Sequence, residues 1–199
     1  MYKGRVTKRM FADFEVYWRW LAASINEAAR PSSLQGQCAI PKRLQFSPVS
    51  LPDLLPHLYM LEHTAGEAWQ PRLVGEALSG RGAGAGASGP TVAFAAVNQL
   101  GLIAEMQKHV CEQPCGALLR VDGVFLDGAK WSVTCKFLPL AANDGAHKYI
   151  VGLAKIEPLQ GSATHHSKLL TVMPQNENGL QSAELVDCYY FDVGFGAPA

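Results

Sequence analysis

Residues 51–75 restrict the fold of this chain more than any other stretch, because they predict two short strands joined by a turn. Pro56 disfavours helical geometry in the residue before it, so any preceding helix ends there. Residues 57–63 then have strand composition, with side chains that alternate between two faces. Residues 69–74 form a second strand, and Pro71 within it predicts a sheet edge, since proline cannot donate to a strand ladder.

A glycine- and alanine-rich segment and a long helix follow this hairpin. Residues 76–90 lack the Gly-Lys-Ser/Thr ending of a phosphate-binding loop, and no acidic residue follows at the spacing typical of dinucleotide-binding sites. We therefore predict a flexible linker there. Residues 91–113 predict a helix, because their apolar positions recur at helical spacing. These positions are Phe94, Val97, Leu100, Ile103 and Val110.

Three further strands are predicted after the long helix, at residues 117–126, 130–140 and 147–156. The middle strand alternates cleanly between apolar and polar side chains. Residues 143–145, Asn-Asp-Gly, mark a hairpin turn before the last strand. Two groups of antiparallel strands separated by helical segments predict an α+β fold, a five-stranded antiparallel sheet with helices on one face.

An N-terminal amphipathic helix is predicted over Thr7–Ala29, and its apolar residues form a narrow seam at heptad spacing. One interpretation is that this apolar seam packs on the chain's own sheet. The other is that it pairs with the same helix of a second chain. Because a helix that rests on a sheet usually has a wider apolar stripe, we predict a homodimer. The interface residues would be Phe11, Phe14, Trp18, Leu21 and Ile25.

An ordered set of short motifs resembles those of small bacterial, mostly alphaproteobacterial, PAS-like proteins. The resemblance covers roughly residues 17–157, and it implies the same α+β sheet that the element order predicts independently. The motifs are Tyr17-Trp18, Ile40-Pro41-Lys42-Arg43, Ser47-Pro48, Leu54-Leu55-Pro56-His57-Leu58, Arg72-Leu73-Val74-Gly75, Leu138-Pro139-Leu140 and Gly152.

The chain accordingly divides into three parts. Residues 1–36 hold the N-terminal helix and a linker, residues 37–158 form the PAS-like domain, and residues 159–199 form a C-terminal extension. Within the extension, residues 168–173 and 185–193 are predicted either as further strands or as a tail that lies on the domain.

The resemblance implies a ligand cavity between the inner face of the sheet and the long helix. The candidate pocket residues are Tyr59, Arg72, Leu73, His109, Trp131 and Tyr149. Two alternatives stay open for them. Arg72 either reaches an acidic ligand or pairs with Glu62 across the hairpin, which is the commoner arrangement. The aromatic residues either line a pocket or belong to the core.

Two cofactors known from PAS domains, haem and flavin, would each require a particular residue in this chain. Some PAS domains hold haem through a histidine on the long helix, and His109 is the matching candidate. A histidine in the last turn of a helix is explained by the exposed carbonyls there, so we do not expect haem. Flavin photosensors carry a cysteine in an Asn-Cys-Arg-Phe-Leu-Gln-like run. None of the five cysteines has such neighbours, so flavin is not indicated.

Charge and hydropathy exclude several classes of partner. The chain has 17 Lys and Arg against 17 Asp and Glu, so nothing in the balance predicts nucleic-acid binding. Lys42 and Arg43 are expected in solvent. No stretch approaches the roughly 20 apolar residues of a membrane span. The basic N-terminus is not followed by the apolar run of a signal peptide, and we expect a cytoplasmic protein.

The five cysteines are odd in number and widely spaced, which argues against a disulfide framework. Cys111 and Cys115 lie close together in sequence, but no second Cys or His pair stands at the spacing of a structural zinc site. We predict buried free thiols and no metal.

No nucleophile, base and orienting group occur in a recognisable catalytic pattern. The first hypothesis is therefore a non-enzymatic sensory or regulatory module, which contacts a signalling protein and responds to a small ligand or to dimerisation. The alternative is a structural adaptor or dimerisation module whose core is filled by side chains and which binds no small ligand. A small enzyme is the third hypothesis, and the absence of a catalytic pattern weighs against it.

Overall fold

Six strands form one antiparallel sheet at the centre of the computed structural model, which describes residues 3–28, 40–64, 69–79, 101–125, 130–159 and 180–195. The strands run in the order β2-β1-β5-β4-β3-β6. Their bounds are β1 Leu58–His63, β2 Trp69–Val74, β3 Gly116–Phe125, β4 Lys130–Ala141, β5 His147–Pro158 and β6 Leu180–Phe191.

Three α-helices accompany the sheet among the described residues: α1 Lys3–Ala28, α2 Glu76–Ser79 and α3 Gly101–Glu112. Single 3₁₀ turns at Pro48–Ser50 and Leu55–His57 lead the chain into β1. Within this part of the chain, no helix is both long and apolar enough to cross a membrane.

The five predicted strands are confirmed, and the α+β architecture with them. Pro71 lies in the edge strand β2, as the missing donor predicts. The C-terminal extension contributes β6, which pairs with β3 along its length. Residues 76–79 form α2 where a flexible linker was predicted, so that prediction is wrong for this stretch. Residues 80–100 and 168–173 lie outside the described part of the chain.

One face of the sheet packs against α3, because alternate strand side chains point toward that helix. The helix contributes Ile103, Met106 and Val110, all of them buried. The sheet contributes a layer of aromatic and aliphatic side chains. This layer includes Tyr59, Leu61, Leu119, Val121, Trp131, Val133, Phe137 and Ile150.

The opposite face of the sheet packs against α1. Phe14 and Trp18 are 0 % exposed within the single chain, and they lie against apolar side chains of β1, β4 and β5. The indole Nε1 of Trp18 donates a hydrogen bond of 2.8 Å to the carbonyl of Pro139. The pairing of β4 with β3 ends at Phe137, so it does not reach Pro139. The Pro139 carbonyl instead accepts from Trp18 of α1.

The apolar seam of α1 is therefore covered by the chain's own sheet. Of the five residues predicted to form a homodimer interface, Phe11, Phe14, Trp18 and Leu21 are buried inside one chain and Ile25 is half-buried. The assignment of these residues to a dimer interface is corrected, since a second chain has no access to them. Self-association itself remains a prediction, and it would need another surface.

A polar contact joins α1 to both β4 and β6. Lys136 on β4 is buried, and its ammonium forms a salt bridge with Glu15 on α1. The same ammonium lies 4.7 Å from the centre of the Phe191 ring. Burial alone raises the pKa of Glu15, but hydrogen bonds from Lys136 and Arg19 outweigh it and lower that pKa. The buried cation is thus paired, as its desolvation requires.

Replacing Trp18 with Phe is expected to lower the free energy of unfolding by about 1–3 kcal/mol, because the buried Pro139 carbonyl loses its donor. Trp20→Phe is the matched control, because Trp20 is 61 % exposed on the same helix and its truncation should change stability little. Urea unfolding followed by circular dichroism measures both variants. Equal effects of the two substitutions would show that α1 does not pack in this way.

Candidate functional site

The six candidate pocket residues do not line one cavity. Tyr59 and Trp131 belong to the layer that faces α3. Leu73 and Tyr149 pack on the opposite face, beside the residues that contact α1. A single ligand between α3 and the sheet would therefore not reach all of them. The prediction of one shared pocket is corrected, because successive positions along a strand point to opposite faces.

His109 lies in the last turn of α3, as the sequence predicts, and its ring faces β6. The ring centre is 4.7 Å from that of Tyr190. Its Nε2 atom is buried and accepts or donates no hydrogen bond among the described residues. The contact with Tyr190 holds the histidine ring against β6.

Three polar side chains meet on the face of the sheet that carries α1, at its β1–β2 end. The Nε of Arg72 lies 2.6 Å from Glu62 Oε2, so the predicted cross-strand pair is confirmed. The hydroxyl of Tyr149 donates to Glu62 Oε1 at 2.9 Å. Glu62 is therefore held by one partner on each oxygen, and it joins the strands β1, β2 and β5.

A β-bulge places Arg72 in this cluster. Met60 pairs with Leu73 and Leu61 pairs with Pro71, so Arg72 is the extra residue between two successive pairs. A bulge changes the direction of a side chain and bends the strand locally. The guanidinium of Arg72 can thus contact Glu62 on the face that Leu73 also occupies.

An open groove of about 450 Å³ lies beside the three residues. Its other walls are two turns, formed by Arg43 with Leu44 and by Ala142 with Asn143. The first turn is fixed to the end of β4, because the Arg43 amide donates to the Ala141 carbonyl at 2.7 Å. The groove is thus built from backbone that is tied to the sheet.

Hydrogen bonding controls the protonation of the groove residues. The hydrogen bond from Tyr149, followed by that from Arg72, holds the pKa of Glu62 below its ordinary value. The same hydrogen bond raises the pKa of Tyr149, because ionisation would place two negative charges together. At neutral pH the carboxylate is ionised and the phenol is neutral, so Tyr149 stays a donor.

The cysteines of the α3 side offer little reactivity. Burial raises the pKa of Cys111 and of Cys135 to about 12, and that of Cys115 to about 11. A thiol with so high a pKa is a poor nucleophile and a poor metal ligand at neutral pH. Cys188 on β6 is exposed, so the prediction of buried thiols is wrong for that residue. Cys38 lies outside the described residues.

No group of three or more His, Cys, Asp or Glu side chains is placed to hold a metal ion in the described part of the chain. Arg43 was expected in solvent, and no sequence pattern connects it with Arg72 or Tyr149. The three residues are far apart in sequence, and only the pairing of the Lys42–Arg43 turn with β4 brings Arg43 to the groove.

Comparison with known proteins gives one family. A family model described as "PAS domain" matches residues 12–155, which is most of the chain. No curated protein and no solved structure matches the chain significantly.

Tyr149→Phe is expected to raise the pKa of Glu62 toward its ordinary value, because the largest cause of the lowered pKa is removed. A carboxylate with a lowered pKa contributes stability above the ordinary glutamate pKa, and this contribution is lost as the pH falls through the lowered pKa. In the variant this contribution should therefore be smaller, and its loss should be complete at a higher pH than in the wild type. Carbon-13 NMR titration of the Glu62 carboxyl measures the shift.

Tyr17→Phe is the control for this titration, since the Tyr17 hydroxyl contacts the Ser47 backbone and not Glu62. An unchanged Glu62 titration in Tyr149→Phe would contradict the hydrogen bond assigned to Tyr149.

Proposed function

This chain belongs to the PAS domain family, and we propose that it is a cytoplasmic, non-enzymatic sensory or regulatory module that acts through contacts with another protein. PAS domains are generally sensory rather than catalytic. A small ligand modulates the contacts in this proposal. Fold alone does not fix function, so support for a signalling role has to come from the surface of this chain.

The outward face of α1 is the observation that carries the proposal. Val16 is 66 % exposed and Trp20 is 61 % exposed, and the two lie one helical turn apart. The ring of Tyr17 stacks beside Trp20 with ring centres 6.0 Å apart. Tryptophan is enriched among the residues that contribute most to protein interfaces, and exposed apolar patches mark such surfaces.

The partner we propose for this face is a second copy of the chain. Two antiparallel copies of α1, related by a two-fold axis near residue 18, would set Val16 of one copy opposite Trp20 of the other. An isologous contact of this kind needs only one self-complementary patch. The exposed ion pair Arg9–Asp13 carries balanced charge, so it opposes the approach of a second helix little.

Trp20→Glu is expected to shift the wild-type protein from dimer toward monomer in sedimentation velocity at micromolar concentration, because each copy would bring a charge into the contact. Its thermal melting should stay close to that of the wild type, since Trp20 does not pack in the core. Leu44→Glu is the control, because Leu44 is another exposed apolar residue and it lies outside α1. A wild type that stays monomeric across this range would refute self-association.

The second candidate function, a structural adaptor with a filled core, is favoured by the packing beneath α3. The side chains of Tyr59, Val133 and Phe137 are almost fully buried there. The rings of Tyr59 and Phe137 pack edge to face, with centres 5.9 Å apart. The aromatic rings of this layer therefore contact one another and α3, as expected of a core filled by side chains.

Val133→Trp tests whether the space under α3 is filled, as the adaptor candidate requires. Where the space under α3 is filled, the larger side chain should lower the free energy of unfolding by roughly 1–3 kcal/mol or more through overpacking. Where a ligand cavity exists next to Val133, the variant should keep its stability and lose any ligand-induced thermal shift. Val186→Trp on the exposed side of β6 is the control for the added indole. Differential scanning fluorimetry measures both.

A further inference from the structure

We propose that the groove between the Arg43–Leu44 turn and the Ala142–Asn143 turn binds a small monocarboxylate, with Arg43 and Arg72 as its carboxylate-binding residues. The groove lies on the face of the sheet opposite to α3, so it is distinct from the cavity that the sequence predicts. The inference deepens the proposed function, on which its regulatory meaning rests, because it names the chemical class and the place of the ligand.

Unused hydrogen-bond donors point into or border this groove. Glu62 is engaged on both oxygens, by the Nε of Arg72 and by the hydroxyl of Tyr149. The two terminal nitrogens of Arg72 and the whole guanidinium of Arg43 have no hydrogen-bond or ion-pair partner among the described residues. Guanidinium groups carry five donors in a planar fork, which matches the two oxygens of a carboxylate.

The charge of the groove selects a monoanion. Its lining contains two arginines and one glutamate, so one positive charge is uncompensated. The proximity of Arg43 and of Arg72 also opposes the rise in the pKa of Tyr149, which places both cations near that hydroxyl. A ligand with one negative charge would neutralise the groove, whereas a dianion would face Glu62 with excess charge.

Apolar surface beside the cations indicates an organic ligand rather than an inorganic ion. Leu44 is 75 % exposed at the rim, and the half-buried ring of Tyr149 forms part of the wall. A volume of about 450 Å³ is within the range of small-molecule sites. A ligand with a carboxylate and a compact apolar body would pair with the arginines and cover Leu44.

The site is held in place by the sheet. The bulge in β2 fixes Arg72, and the two backbone hydrogen bonds between Pro41, Arg43 and Ala141 fix the other arginine's main chain. Arg72, held by Glu62, and Arg43, whose main chain is fixed, lose less conformational entropy on binding than two wholly free arginines would. This rigidity separates the groove from an ordinary surface patch of basic residues.

The test is a titration of the full-length protein with benzoate, followed by ¹H–¹⁵N NMR. Saturable shifts are expected at the amides of Arg43, Leu44 and Asn143, while the neutral isostere benzamide should give none there. Arg43→Met should weaken benzoate binding about tenfold or more, by loss of a charge-assisted contact. Arg9→Met is the matched control, because Arg9 is an exposed arginine on α1, and it should bind as the wild type does.

Glu62→Gln provides a readout that a purely structural role would not give. The amide oxygen can still accept from Arg72, and the amide NH2 group can donate to the Tyr149 hydroxyl. The competing charge is gone, so benzoate binding should tighten several-fold. Unchanged or weaker binding in this variant would overturn the charge argument. Thermal melting of each variant checks that it is folded before its titration is interpreted.

Other outcomes overturn the proposal directly. Absence of saturable shifts at these amides would refute the site, and equal shifts with benzamide would refute carboxylate recognition. Tighter binding of inorganic phosphate than of benzoate would assign the groove to a different anion. Repeating the titration on Trp20→Glu separates this inference from self-association, since binding in the groove does not require the outward face of α1. A monomeric wild type that binds benzoate would thus refute self-association alone.

Discussion

The contact of α1 with the second face of the sheet is the interaction on which the rest of this structure depends. A sheet that packs helix α3 on one face still has a second face with large apolar side chains, and these would otherwise meet water. Trp18 lies at the centre of that contact and also satisfies the Pro139 carbonyl. Burying one such aromatic side chain contributes roughly 1.5–3 kcal/mol. The N-terminal helix is therefore part of the core and not an appendage.

The two ends of the chain meet on the same strand. Glu15 of α1 pairs with Lys136 of β4, and the ring of Phe191 at the end of β6 lies over the same ammonium. Removing the Glu15 carboxylate or the Phe191 ring would leave the buried Lys136 ammonium with fewer partners, which is costly in a low dielectric. The N-terminal helix and the C-terminal strand thus stabilise one shared position of the sheet.

The candidate site arises from irregularity in an otherwise regular sheet. The bulge at Arg72 and the bridge from Lys42 to Ala141 are local departures from ladder geometry, and both deliver an arginine to one groove. The candidate groove therefore lies at the rim of the sheet. The layers beneath the helices serve packing, which agrees with the high pKa values of their buried thiols.

The sequence by itself determined five of the six strands, their antiparallel order within the family pattern and the edge position of Pro71, because period-two alternation, proline chemistry and hairpin geometry are local. It gave the pair between Arg72 and Glu62 as one of two alternatives. It also determined that α1 has an apolar seam. What covers that seam, which face of the sheet each candidate residue occupies, and how Arg43 reaches Tyr149 were decided only by the tertiary structure. A sheet or a second helix can cover a seam of Phe and Trp equally well, because apolar burial is non-directional. Contacts between residues distant in sequence depend on the register of the whole sheet.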